Sequence, residues 1–266
     1  MNARGLWLTL LTLCVVGGLI AGIFTPAIAT TLTLPAPSGA VQATAPAHPR
    51  PTPTVTGGAA QTQPTLPANG LTVLARDTFQ RPDQSFWGSS SDGRLWGGDA
   101  NTNPAFSIKD KAGQISGASG PLQATLNVTN ADAEILFSGS ANRFDANGDI
   151  NLGGVLRWQD PGNWYKVLIN GSILQLLKAV NGKITVLGSA PFKAVGNTNY
   201  SIRFRVLGSN LFAKAWSSAA TEPANWTLMI IDTQLTAGIG GIRVLLAPGA
   251  VIRVTSFLET NVPAAM

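Results

Sequence analysis

Residues 153–171 read GGVLRWQDPGNWYKVLING. Two apolar and aromatic segments flank a Gln-Asp-Pro-Gly-Asn turn, with a tryptophan on each side of it. Period-two character on both sides of a Pro-Gly turn is the pattern of a β-hairpin, not of a helix. Adjacent strand residues point to opposite faces, so Tyr165, Val167 and Ile169 form one apolar row. Trp164 alternates with Lys166 on the other side, which predicts a buried Tyr165 and a more exposed Trp164. By the same alternation Arg157 is compatible with an inward face, and Trp158 shares its side with Leu156.

The same grammar recurs outward from this hairpin. In SILQLLKAVNGKITVLG, Asn181-Gly182 separates two apolar runs, a strong two-residue hairpin signal. Gly208-Ser209-Asn210 and Pro248-Gly249 are expected to act similarly. In SIRFRV the residues Ile202, Phe204 and Val206 share a face opposite Arg203 and Arg205, whereas SILQLLKAV is apolar on both faces. One-sided and two-sided strands in one antiparallel domain predict two packed sheets, an all-β sandwich.

Composition agrees. The chain has 266 residues with 12% charged and 29 glycines, which suits a β-rich secreted protein. Setting aside Arg4 and Arg50 leaves 16 basic residues against 13 acidic ones, scattered without the runs that track phosphates, so nucleic acid is not an expected partner. The single cysteine, Cys14, and the single histidine, His48, both precede the domain. The domain therefore has no Cys or His nucleophile, no Ser-His-Asp relay, no zinc site of the usual kind and no internal disulfide.

Residues 1–29 carry an apolar run from Leu6 to Phe24 and end in Ala27-Ile28-Ala29, the small-x-small pattern of a signal-peptidase site. Cleavage before Thr30 is the first expectation. Retention as a membrane anchor is the alternative, and would be the chain's one membrane contact. Residues 30–70 are rich in Pro, Thr and Ala without apolar periodicity, and are expected to be a disordered stalk. At about 3.1 Å per residue such a stalk reaches roughly 100 Å. Residues 71–262 form the globular domain.

Three stretches occur in order within that domain: DTFQRPDQSFWGSSSDGRLWGGDANTNPAFSI, GGVLRWQDPGNWYKVLI and GIGGIRVLLAPGAVIRVTSFLET. Together they resemble the concanavalin A-like jelly rolls, in particular the laminin G-like modules of secreted bacterial proteins. In that group a strand with Asp-x-Phe opens the domain. Its centre reads Gly-x-x-x-Arg, an Asp/Asn turn and an aromatic pair, as Gly153, Arg157, Asp160, Asn163, Trp164 and Tyr165 do here. The fold hosts lectins, glycosidases, adhesins and spacers, so the resemblance implies architecture more than activity. Where such modules often carry an Asp pair in the last strand, this chain has Thr255 and Ser256. The glucanase signature Glu-x-Asp-x-x-Glu is missing; the glutamates are Glu134, Glu222 and Glu259, far apart in sequence.

Candidate binding residues follow from chemistry. Sugar recognition uses an exposed aromatic platform with Asp, Asn or Arg for hydroxyls. Arg157, Trp158, Asp160, Asn163 and Trp164 supply those types around one turn; the alternative is that they seal a sheet edge and build a turn. Trp87 and Trp96, each followed by glycine in a long polar segment, are a second candidate platform, or else plugs at the sandwich end. Asp145, Asn147 and Asp149 alternate oxygen side chains as calcium loops do, but Ile150 and Leu156 break the EF-hand pattern, so a surface turn competes with a structural calcium site. No other cofactor is expected. Asp77 is expected to bond at a strand end. The leading functional expectation is an exported or cell-surface, non-catalytic binding module for an extracellular glycan. A structural or adhesive spacer is the alternative, and a carboxylate-dependent glycoside hydrolase comes third.

Overall fold

The computed structural model describes residues 71–145 and 147–263. The expectations for the signal or anchor segment and the stalk lie outside these residues. The described residues contain no α-helix and sixteen strands. The first five are β1 (Val73–Asp77), β2 (Gln84–Ser85), β3 (Gly97–Gly98), β4 (Phe106–Lys109) and β5 (Ala112–Ser116). Then come β6 (Gly120–Asn130), β7 (Ala133–Ala141), β8 (Leu152–Asp160), β9 (Asn163–Ile169) and β10 (Ile173–Val180). The last six are β11 (Lys183–Pro191), β12 (Tyr200–Leu207), β13 (Asn210–Ser217), β14 (Leu228–Ile231), β15 (Gly238–Leu246) and β16 (Val251–Asn261).

They form two antiparallel sheets. The nine-stranded sheet runs β14-β13-β12-β7-β16-β5-β4-β2, with β1 also paired to β16. The seven-stranded sheet runs β11-β10-β9-β8-β15-β6-β3. The inner faces carry the alternating apolar rows. Ile202, Phe204 and Val206 of β12 are buried in one core with Tyr165, Val167 and Ile169 of β9. This is the sandwich that period-two patterning predicts.

Turn chemistry explains most hairpins. Asn181 and Gly182 have φ of 51° and 77°, the left-handed pair that a two-residue type I′ hairpin demands. Asp110 and Lys111, at φ 47° and 59°, make an equivalent turn between β4 and β5 without glycine. Pro248-Gly249 departs from expectation. It closes no hairpin, because β15 and β16 belong to different sheets and the turn carries the chain across the sandwich.

One end of the sandwich is sealed by aromatics. Trp87 meets Phe79, Trp96 and Phe106 edge-on at 5.1, 4.9 and 5.1 Å, and Trp96 meets Phe257 at 5.3 Å. Asp77 anchors this cluster at the strand end, as expected. Its carboxylate accepts the Phe79 amide at 2.8 Å, the Trp96 indole N–H at 2.7 Å and the Arg81 guanidinium at 2.8 Å. In the core between the sheets lies Glu259, fully buried, with neither carboxylate oxygen hydrogen-bonded among the described residues. Gly240 of the facing sheet makes room for it: a Cβ there would lie 2.5 Å from Oε1. Burial pushes the Glu259 carboxyl up to about 8.

Candidate functional site

The β8–β9 hairpin forms as predicted, but its aromatics are placed differently. β8 bulges at Arg157, whose φ is 49°, and its register with β9 shifts between Leu156 and Asp160. The extra residue breaks strict alternation. Leu156 therefore faces the main core while Trp158 joins the outer face. Gly238 lets β15 approach this bulge, since a Cβ there would lie 2.5 Å from the Arg157 carbonyl carbon.

Four of the five primary candidates serve the fold, three of them within the hairpin turn itself. Arg157 is buried, donating to the carbonyls of Ala131, Leu235 and Gly208 and to the Asp132 carboxylate. It ties loops together and has no free donor face for a sugar. Asp160 accepts the Gly162 amide at 2.7 Å and the Asn163 side-chain amide. Asn163 accepts the Asn181 amide at 3.0 Å, joining neighbouring turns. Trp164, expected to be exposed, is 2% exposed, and its indole N–H donates to the Pro161 carbonyl at 2.8 Å. Alternation did give its side correctly: it points away from Tyr165, into a separate cluster with Val155, Trp158 and Ala179. Tyr165 is buried inward, its hydroxyl bonded to Asp232 and, through burial first and that bond second, raised to about 12.

The second platform is likewise corrected: Trp87 and Trp96 are 0% and 1% exposed, inside the aromatic seal. In the candidate metal loop, Asp145 accepts the Asp149 amide at 2.8 Å, and Asn147 is an exposed turn residue. Among the described residues no group of three or more His, Cys, Asp or Glu side chains could hold a metal ion.

The bulge and alternation instead assemble a different patch, on the outer face of the seven-stranded sheet. Arg243 of β15 lies with its guanidinium carbon 5.0 Å from the Trp158 ring and 5.1 Å from the Trp164 ring, a double cation–π stack. It donates to the Gln123 side-chain carbonyl on β6. Lys166 of β9 is 5% exposed and donates to the Asn151 side-chain oxygen at 2.8 Å. Its stem lies across Gly153, where a Cβ would come within 2.8 Å of Lys166 Cε. Burial, and secondarily Arg243, pulls the Lys166 ammonium down to about 7. All sixteen strands belong to the two sheets, so no described strand forms a third layer over this face. Lys166 was legible as the neighbour of Trp164 in alternation, whereas Arg243, Asn151 and Gln123 come from distant segments.

The outer face of the nine-stranded sheet holds a second charged cluster that sequence spacing hid. Arg203 bridges Glu134 and Glu222, Arg205 also pairs with Glu134, and Lys214 also pairs with Glu222. Trp226 covers it, with the Arg205 and Lys214 cations 5.2 and 4.9 Å from its ring. Burial alone would raise the Glu222 carboxyl, but Lys214 and Arg203 hold it below its ordinary value.

No protein-family model matches the chain, and no curated protein matches it. Solved structures do. The xylan β-1,4-xylosidase from Bacillus halodurans C-125 matches with TM-score 0.51 and 12% identity, over 70% of this chain and 39% of that one. The GH43 BlXynB protein from Bacillus licheniformis matches with TM-score 0.51 and 11% identity, over the same 70% and 39%. The carbohydrate-binding module CBM66 from Bacillus subtilis matches with TM-score 0.49 and 14% identity, over 62% of this chain and 94% of that one. At these identities the likeness is one of fold: the chain is a two-sheet antiparallel β-sandwich.

Proposed function

We propose that the domain is a non-catalytic carbohydrate-binding module of the concanavalin A-like jelly-roll type, exported and displayed outside the cell, with its site on the outer face of the seven-stranded sheet. One observation carries this reading: that face gathers the donors and acceptors of Arg243, Lys166, Asn151 and Gln123, with the buried Trp158 and Trp164 rings packed against Arg243, under no third layer of strands. Amides and cations held together on one face are what a sugar's polar groups require. The ligand class follows the xylan β-1,4-xylosidase, which is named for a glycan and 39% of which shares the fold. The glutamates support binding without turnover. Glu134 and Glu222 are neutralised by three cations, and Glu259 is sealed in the core.

The test is titration of the full chain with a panel of glycans, followed by NMR shift mapping. Perturbed amides on β6, β8, β9 and β15 are expected; no glycan binding at all would defeat the proposal. A second reading, an adhesive module, draws on the terminal strands β11 and β14. There Ile184, Val186, Met229 and Ile231 are 60, 55, 67 and 74% exposed, an unusual apolar content for sheet edges. Shifts confined to those strands on adding a protein partner would favour it.

A further inference from the structure

Lys166 and Arg243 are 5% and 8% exposed, and both cations meet only neutral acceptors, Asn151 and Gln123. Among the described residues neither forms an ion pair, and every Asp and Glu of the sequence lies within those residues. No side-chain carboxylate of the protein therefore pairs with either. A buried cation without a counter-charge is costly, and two that share one face raise each other's cost. The groups packed against Lys166 offer no relief: Val155 opposite it on β8, Leu177 opposite it on β10 and Asn151 are neutral. Arg243 is the charged neighbour; Asp99, which accepts the Gln123 amide at 2.9 Å, favours the Arg243 cation from a distance without pairing with it, and no carboxylate does the same for Lys166.

The pair is also held in place. The Trp158 and Trp164 rings fix the guanidinium without neutralising it, and the bare Cα of Gly153 lets the lysine stem lie flat. Gly153 lies between the two, its absent Cβ also 3.0 Å from the Arg243 carbonyl. Immobilised, desolvated cations lose little entropy on meeting an anion.

We propose that Lys166 and Arg243 form an anion-recognition subsite on this face, and that the glycan bound there carries carboxylate or sulfate groups. The inference rests on the carbohydrate reading above and names its ligand class. Because the Lys166 ammonium titrates near neutrality when no anion is bound, affinity for an anionic glycan should weaken as pH rises past that point.

The experiment is calorimetry on the full chain with three probes: an oligogalacturonate, a sulfated heparin oligosaccharide and a neutral xylo-oligosaccharide. An anionic probe should bind tighter than the neutral one, and the first two arms separate carboxylate from sulfate. Lys166→Met and Arg243→Met should each weaken that binding roughly tenfold to a hundredfold, the scale of a lost hydrogen bond to a charged group. Thermal melts check that the variants fold. The decline of affinity between about pH 6 and about pH 9 should vanish in Lys166→Met, which a merely structural lysine would not do. Equal binding of the neutral probe, unchanged in Lys166→Met, overturns the anionic class and leaves the carbohydrate reading standing. Should no glycan bind, inorganic sulfate decides the subsite alone. Stabilisation of the wild type but not of Lys166→Met would uphold it, and no stabilisation would overturn it.

Discussion

The two outer faces of this sandwich handle buried charge in opposite ways. On the nine-stranded sheet, Arg203, Arg205 and Lys214 interlock with Glu134 and Glu222 beneath Trp226. On the seven-stranded sheet, Lys166 and Arg243 lie against Trp158, Trp164 and neutral amides, with no carboxylate paired to either. Both faces use tryptophan to hold cations. Only one pairs its cations with carboxylates from within, so the balanced face is a structural cross-brace and the other leaves its cations unpaired.

The contrast can be broken first at Trp164. Because it is 2% exposed and also stacks on Arg243, Trp164→Ala should cost about 4–5 kcal/mol, near the top of the range for truncating a buried tryptophan. Urea unfolding measures it; a loss of about 1 kcal/mol would restore the exposed platform expected from alternation.

Between the two faces, Glu259 offers a pH test. Its carboxyl is raised from 4.5 to about 8 in the folded state, so the folded protein holds a proton that the unfolded chain releases. Stability should therefore fall as pH rises from about 4.5 to about 8, by on the order of 4 kcal/mol. Glu259→Gln should flatten that slope in thermal melts across the window. An unchanged slope would mean the carboxylate finds a countercharge in the core.

On the balanced face, Glu134→Leu strands Arg205 and leaves Arg203 with Glu222 alone. A loss of about 3 kcal/mol is expected, the low end for stranding a buried ion-pair partner, because both arginines keep some access to water. Lys166→Met should do the reverse. Removing an unbalanced buried cation should cost about 1 kcal/mol or less at neutral pH, or increase stability. If the two substitutions destabilise equally, the faces are not different in kind.

The sequence carried the sheets well and the site less well, for physical reasons. Asn181-Gly182 demanded left-handed backbone, and Ile202, Phe204 and Val206 declared a face, because both signals are local. The bulge at Arg157 was invisible: an arginine at positive φ carries no composition mark, yet it moved Trp158 to the outer face. Pro248-Gly249 gave a turn but not its destination, since a turn reports reversal and not which sheet comes next. Alternation told which way Trp164 points and could not tell what would close over it. Glu134 and Glu222 seemed unrelated because pairing β12 beside β7 and β13, a long-range event, brings their shared arginine between them.

The pairing of β1 with the end of β16 has a mechanical consequence. The Thr72 amide donates to the Asn261 side chain at 2.6 Å, and the Asn261 amide donates to the Thr72 carbonyl at 3.0 Å, so the domain is entered and left at one corner. A unit with adjoining ends can be spliced into a loop of a host protein without spreading its strands. Tension applied between those ends would peel β1 away one bond at a time, since antiparallel bonds lie across the strands. Tension between the entering chain and something gripped on a sheet face would drag β1 lengthwise and load its bonds together. Built this way, the sandwich yields readily when stretched by its own ends and holds when pulled from a sheet face.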